Sequence, residues 1–472
     1  MRQLVISCVI GAIILFSFLS NWHGLLIVTL LLLLLGAILH KLGKGIVLLE
    51  VTAILYVFTC LVMPLVGYRY YVYNNTLARL YGKYMPVNEE TYFNFALPAI
   101  AAFCLAITLP SFKRKLPDTG LVIQEKLTAL KQQLNGTPGK GLQIMIVGVL
   151  VSVLAKFLPA SLSYFAVLLF FSSFAGLLYI HFTPAFRFKK LVTVLFVLFI
   201  MWNALQSGMF TIVAYMGITI FSFFQVGAKT SMLKKIFLML VGIVFFLVLQ
   251  NVKTVYRKQT LQTSYQGNKV ELFSNLFSSN LQKGSSLLSQ NALFPIYSRT
   301  NQGYNVALVM RRMPRVQPYD NGERLLTVLA SAFVPRFLWS DKPESGGKFN
   351  MEYYAGYRIK GWSTNVGTLG EAYGSFGPTG GILYMVLLGL FLRWVYLKVF
   401  ILSARIPLLI CWLPLLFYDT TSSSETDTLQ IINSIIKSAF FIWLLVKIMP
   451  QWFGLQKKNQ VSRVISKPAL HA

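Results

Sequence analysis

Apolar residues in this chain come in long unbroken runs, not in the three-and-four spacing of a helix with one wet face. Crossing a hydrocarbon core roughly 30 Å thick takes about 17 to 25 such residues in a helix. Twelve runs approach or reach that length, at 4–20, 24–39, 45–67, 93–111, 142–158, 162–180, 191–207, 209–226, 235–251, 379–398, 405–418 and 430–448. The pattern predicts an all-α polytopic membrane protein of about 12 transmembrane helices.

Two hydrophilic segments interrupt the pattern. The first, 112–141, carries Leu121, Ile123, Leu127 and Leu130 on one side of a helix that Asn135-Gly136 and Pro138-Gly139 close. A basic helix of that kind is expected to lie on anionic lipid. The second, 252–378, is too long for a connection and reads as a folded cap. Leu272, Phe273, Leu276 and Phe277 recur at helical spacing, and Leu325, Leu326, Val328, Leu329, Ala332 and Phe333 form a second apolar face that Pro335 should end. The organisation is therefore nine spans over 1–251, a large helical extracytoplasmic loop over 252–378, three spans over 379–448, and a basic tail over 449–472.

Composition narrows the class. At 56% hydrophobic and 12% charged residues, 472 residues cannot hide this surface in soluble domains. Basic residues then orient the spans, because Lys and Arg in short loops stay in the cytoplasm. The amino terminus, the even-numbered short connections and the tail hold 22 of the 43 Lys plus Arg, which predicts that both termini are cytoplasmic. Cys8, Cys60, Cys104 and Cys411 all fall inside predicted spans, and the four histidines are scattered. No zinc spacing, Walker motif or dinucleotide glycine motif occurs, so no metal, cofactor or nucleic-acid partner is expected.

Candidate chemistry concentrates in the cap, which carries 15 Lys plus Arg against 7 Asp plus Glu between 252 and 377. Its arginines either solvate the cap and touch headgroups, or converge on an anionic ligand at the membrane surface. A guanidinium fork suits phosphate oxygens, so a membrane-anchored diphosphate is the natural partner. In 333–350, Arg336 follows the helix-ending proline, with Phe337 and Trp339 as stacking surfaces. Asp341, Lys342 and Pro343 make a charged turn, and Gly346-Gly347 admits close backbone approach. In 365–381, rich in glycine, Glu371 stands at the entry to the tenth span, either as an arginine's partner or as a base for an attacking hydroxyl. Within the last span, Lys437 is either functional or paired with Asp419. Arg393, Glu50 and Lys156 lie near helix ends, where snorkelling accounts for them.

The combination of RTNQGYN at 299–305, VPRFLWSDKP at 334–343 and LGEAYGSFGPTGG at 369–381, behind nine spans and before three, resembles the Wzy-type polymerases of O-antigens, capsules and exopolysaccharides. The resemblance implies a metal-independent, C-type glycosyltransferase of the bacterial cytoplasmic membrane, working on its extracytoplasmic side. Donor and acceptor would both be glycans on undecaprenyl diphosphate, amid membrane lipids, with a chain-length regulator as a protein partner. The resemblance implies a diphosphate-holding role for Arg336 first, then Arg299, Arg311 and Arg312; joined to the reading of the residues themselves, the candidate catalytic set is Arg336, Glu371 and Asp341. The substrate-binding set is Arg299, Arg311, Arg312, Lys342, Trp339, Tyr373 and Lys437. An O-antigen ligase is the rival enzyme, but that family carries a histidine in its large loop, and none lies between His181 and His471 here. A flippase or transporter is the non-enzymatic rival, disfavoured by one large cap in the second half only.

Overall fold

The computed structural model describes residues 2–109, 120–137, 139–207, 216–228, 230–262, 267–282, 289–334, 338–340, 346–359 and 364–455. Among these every regular element is helical and none is a strand. Seven helices are long and apolar enough to cross a membrane: His23–Lys41, Leu48–Tyr70, Glu89–Thr108, Leu162–Phe182, Lys189–Gln206, Gly367–Leu402 and Thr428–Ile448. The bent pair Glu125–Asn135 and Lys140–Leu154 would make an eighth. The first apolar run forms a shorter helix, Leu4–Leu19. The eleventh gives only Pro407–Leu416, a 3-10 turn followed by one α turn. Ten helical residues rise about 15 to 20 Å, too little to cross alone.

Three expectations change in the fold. The helix Gly120–Asn135 does not lie free on lipid: Ile123, Leu127, Leu130 and Leu134 are buried in the main core. Lys126 donates to the Phe400 carbonyl and the Ser403 hydroxyl, and Gln133 to the Gly454 carbonyl. An amphipathic face buries equally well on protein or on lipid, and here protein is beside it. Secondly, Glu50 does not snorkel; it is buried and takes a 2.7 Å ion pair from Lys41. Thirdly, the boundary drawn at 251/252 falls inside a helix. Helix Met232–Gln262 runs straight past residue 251, and Gln302–Arg312 is embedded against the spans, burying eight of its eleven residues.

The deepest change is in Gly367–Leu402, which folds back on itself at Gly377 (φ 67°, ψ −168°), just before Pro378. The positive φ is one that glycine adopts without a Cβ clash. Gly381 packs onto the Ala372 carbonyl. Thr368 bonds Tyr56, whose ring lies 4.4 Å from that of Phe103, and Gly389 packs against the Phe103 carbonyl. In a continuous helix residues 368 and 389 would stand roughly 30 Å apart; here they share one level. Arm 367–376 and arm 378–402 are therefore antiparallel. The first begins beside Tyr56, eight residues in from the start of Leu48–Tyr70.

Candidate functional site

The sequence RTNQGYN builds the joint between two helices, Gln290–Thr300 and Gln302–Arg312, and each polar side chain in it has a task. Arg299 pairs with Glu425 at 3.1 Å. Asn301 caps the second helix by accepting from the Tyr304 amide. Gln302 donates to the Asn365 carbonyl at 2.8 Å, and Asn305 donates to that same carbonyl at 2.9 Å. Gly303 lets this joint close against Pro64 and Tyr92, where a side chain would collide.

From Asn365 the hydrogen bonds run to two carboxylates. Asn365 Nδ2 donates to Asp427 at 2.9 Å, and Asn350 Nδ2 donates to Glu371 at 3.0 Å. Glu371 also accepts from the Thr428 amide at 2.8 Å and its hydroxyl at 2.6 Å. Asp427 caps the last helix through the Gln430 amide. Both acids are buried, Glu371 5% and Asp427 2% exposed, and neither makes an ion pair among the described residues. Removing a carboxylate from water without a cation is costly, and such groups concentrate at working sites.

Two residues along the chain from Asp427, Glu425 faces cations. Lys253 on Met232–Gln262 is half-buried, and its amine is lowered to about 8, first by burial and then by Arg299 and Arg257, with Glu425 opposing. Lys83 is lowered too, by burial and then by Arg299, and its amine stands 4.4 Å over the Tyr304 ring. Four cations from three separated stretches thus share one field. Lys83 and Lys253 are half-buried while Arg257 and Arg299 are exposed, and their mutual repulsion is what an anion would relieve.

The sequence-derived residues divide. Arg299 and Glu371 fall in this assembly. Arg336, Asp341 and Lys342 lie outside the described residues. Arg311 and Arg312 sit at the opposite end of Gln302–Arg312 from Arg299, bonded to the Tyr357 hydroxyl and the Gln317 amide, so they do not join that cluster. Trp339 is half-buried in a loop. Tyr373 is buried, taking a 3.3 Å bond from Tyr319 and the edge of Phe95. Glu371 bonds neutral donors, not an arginine. Lys437 is exposed on its helix and stands 4.5 Å over the Tyr164 ring, not against Asp419.

Sequence reasoning passed over Lys83, Lys253, Asn350, Asn365, Glu425 and Asp427 as site residues. A signal for two existed: TTSSSETD at 420–427 sets two of only 15 acids between apolar runs.

Residues 118–403 match the family model of a domain of unknown function (DUF8712). No curated protein and no solved structure matches the chain.

Proposed function

The chain belongs to the DUF8712 family, and we propose that it is a membrane glycosyltransferase joining oligosaccharide repeat units carried on undecaprenyl diphosphate. One observation carries the proposal: Arg299 acts on both Lys83 and Lys253 and pairs with Glu425, which lies two residues along the chain from Asp427 of the buried carboxylate network. A lipid diphosphate brings its own leaving group, so the protein has to hold two lipid-borne substrates in line and stabilise the charge that grows on departure.

In this reading the acceptor hydroxyl attacks the anomeric carbon of the donor. A carbon–oxygen bond forms there while the bond to diphosphate breaks. The departing diphosphate takes its charge to the cation cluster, and the hydroxyl proton passes to Glu371 or Asp427. Nothing in this scheme calls for a metal or nucleotide. The finer architecture belongs to the same proposal: twelve membrane segments in a C-type arrangement, the short Pro407–Leu416 helix with its following turns being the eleventh, termini in the cytoplasm, and the cap end facing outward from the bacterial inner membrane. A chain-length regulator would dock there.

A gel of surface glycan from cells lacking the protein tests the assignment. Single repeat units on the cell surface support it. Untransferred long chains would indicate a ligase instead, and loss of all surface product a flippase.

A further inference from the structure

At the turn of the folded-back helix, outside the carboxylate network, lies a cavity of about 300 Å³ lined by Asp320, Glu323, Arg324, Thr327, Val328 and Tyr353. Its walls are two cap helices, Glu323–Phe333 and Gly347–Ala355, and the turn that precedes the first. Gly322, which starts that helix, packs on Phe376, and Tyr319 packs on Gly377, so the cavity sits on the bend itself. It is at the lower end of small-molecule site sizes, roughly 300 to 1,000 Å³.

Its chemistry selects a class of ligand. Two carboxylates against one guanidinium disfavour an anion, so this is not a second diphosphate site. The walls offer acceptors on Asp320 and Glu323 and donors on Arg324. The Arg324 guanidinium covers the Tyr353 ring at 4.2 Å, yet its Nε is buried with no partner. A buried donor left open costs free energy that a ligand oxygen would recover. Mixed donors and acceptors in a small half-closed space fit a molecule carrying vicinal hydroxyls.

A hydrogen-bond relay leads from the cavity toward the network and ends one turn short of it. Asp320 accepts from the Tyr354 hydroxyl at 3.2 Å, and that hydroxyl bonds Ser375 at 3.0 Å, one helical turn beyond Glu371. We propose that this cavity holds a neutral sugar ring of the acceptor repeat unit, placing a hydroxyl toward Glu371. The assignment to the acceptor rests on the glycosyltransferase reading; the assignment to a neutral sugar does not.

The test uses the full chain in nanodiscs with two probes. One is the lipid-linked repeat unit extracted from cells lacking the protein, and the other is the soluble glycan released from it by mild acid. Glu323→Gln and Arg324→Gln are expected to raise the half-saturating repeat-unit concentration about tenfold or more, the scale of one lost charged hydrogen bond. Saturation-transfer NMR of the released glycan should show signal at the ring protons that both variants abolish. Polymerisation with unchanged half-saturation, or saturation transfer equal in variants and wild type, overturns the cavity assignment and leaves the enzyme reading standing. Saturation transfer abolished by the variants, together with a wild type that does not polymerise, sinks the enzyme reading and leaves a sugar site. No transfer to the glycan from the wild type overturns the sugar site outright. Thr327→Val, on an exposed side chain, supplies the same comparison if either variant fails to fold.

Discussion

Asn365 donates from its side-chain amide to the Asp427 carboxylate at 2.9 Å, across 62 residues of chain. Asn365→Leu removes that donor and leaves a buried acid with its helix cap alone. The variant should lose about 2 kcal/mol, the cost of one unsatisfied buried acceptor. Thermal unfolding in detergent should show a lower midpoint, whereas Asn365→Gln, which keeps an amide, should recover part of it. An unchanged midpoint for the leucine variant would mean that the network contributes no stability.

Arg299 and Lys253 are expected to act on the leaving group. Alanine at 299 or methionine at 253 should slow chain extension on the order of 10² to 10³-fold, the effect of removing one stabilising group. Surface glycan would shorten toward single repeat units while membrane insertion stays normal. Glu425→Gln should work oppositely on the ground state, tightening inorganic diphosphate several-fold by removing an opposing charge. Weaker diphosphate binding in that variant contradicts the cluster's role.

The amine of Lys253 gives a pH signature. Its value of about 8 lies below the ordinary 10.5, so between these pH values the folded chain binds fewer protons than the unfolded chain. Stability from this group therefore rises with pH across that window and is reduced below it. Diphosphate binding reverses the shift by favouring the charged form, so calorimetry should record proton uptake and an affinity that falls as pH passes through about 8. Lys253→Met should flatten that slope. A slope that persists in the variant would assign the titration to another group.

Gly377 holds the fold-back at φ 67° and ψ −168°. Gly377→Val puts a branched side chain where none is tolerated, at about 1 to 3 kcal/mol. Trypsin susceptibility of the purified protein should rise, and extension activity should fall with it. Full activity in this variant would show that the bend is not needed.

What was legible in the sequence was whatever periodicity and composition control. Among the described residues apolar runs became helix, Leu272 to Phe277 and Leu325 to Phe333 marked cap helices, and Glu371 stood out as an acid beside a span. The fold-back was not legible, since LGEAYGSFGPTGG enters an apolar run without a break and its glycines fit a shaped entry as readily as a reversal. Nor was the network, because residues 302, 350, 365 and 427 meet only through tertiary packing and have no common local period. Lys253 was one of 15 basic residues in the cap, and no local pattern set it apart from the rest.

The arm Gly-Thr-Leu-Gly-Glu-Ala-Tyr-Gly-Ser-Phe at 367–376 is too polar to partition into lipid by itself, its glutamate alone costing about 3 kcal/mol there. Glu371's two Thr428 donors lie 57 residues further along the chain. Two of the three hydrogen bonds to Glu371 can therefore form only after the final helix has begun to be made, while the third, from Asn350, is available earlier.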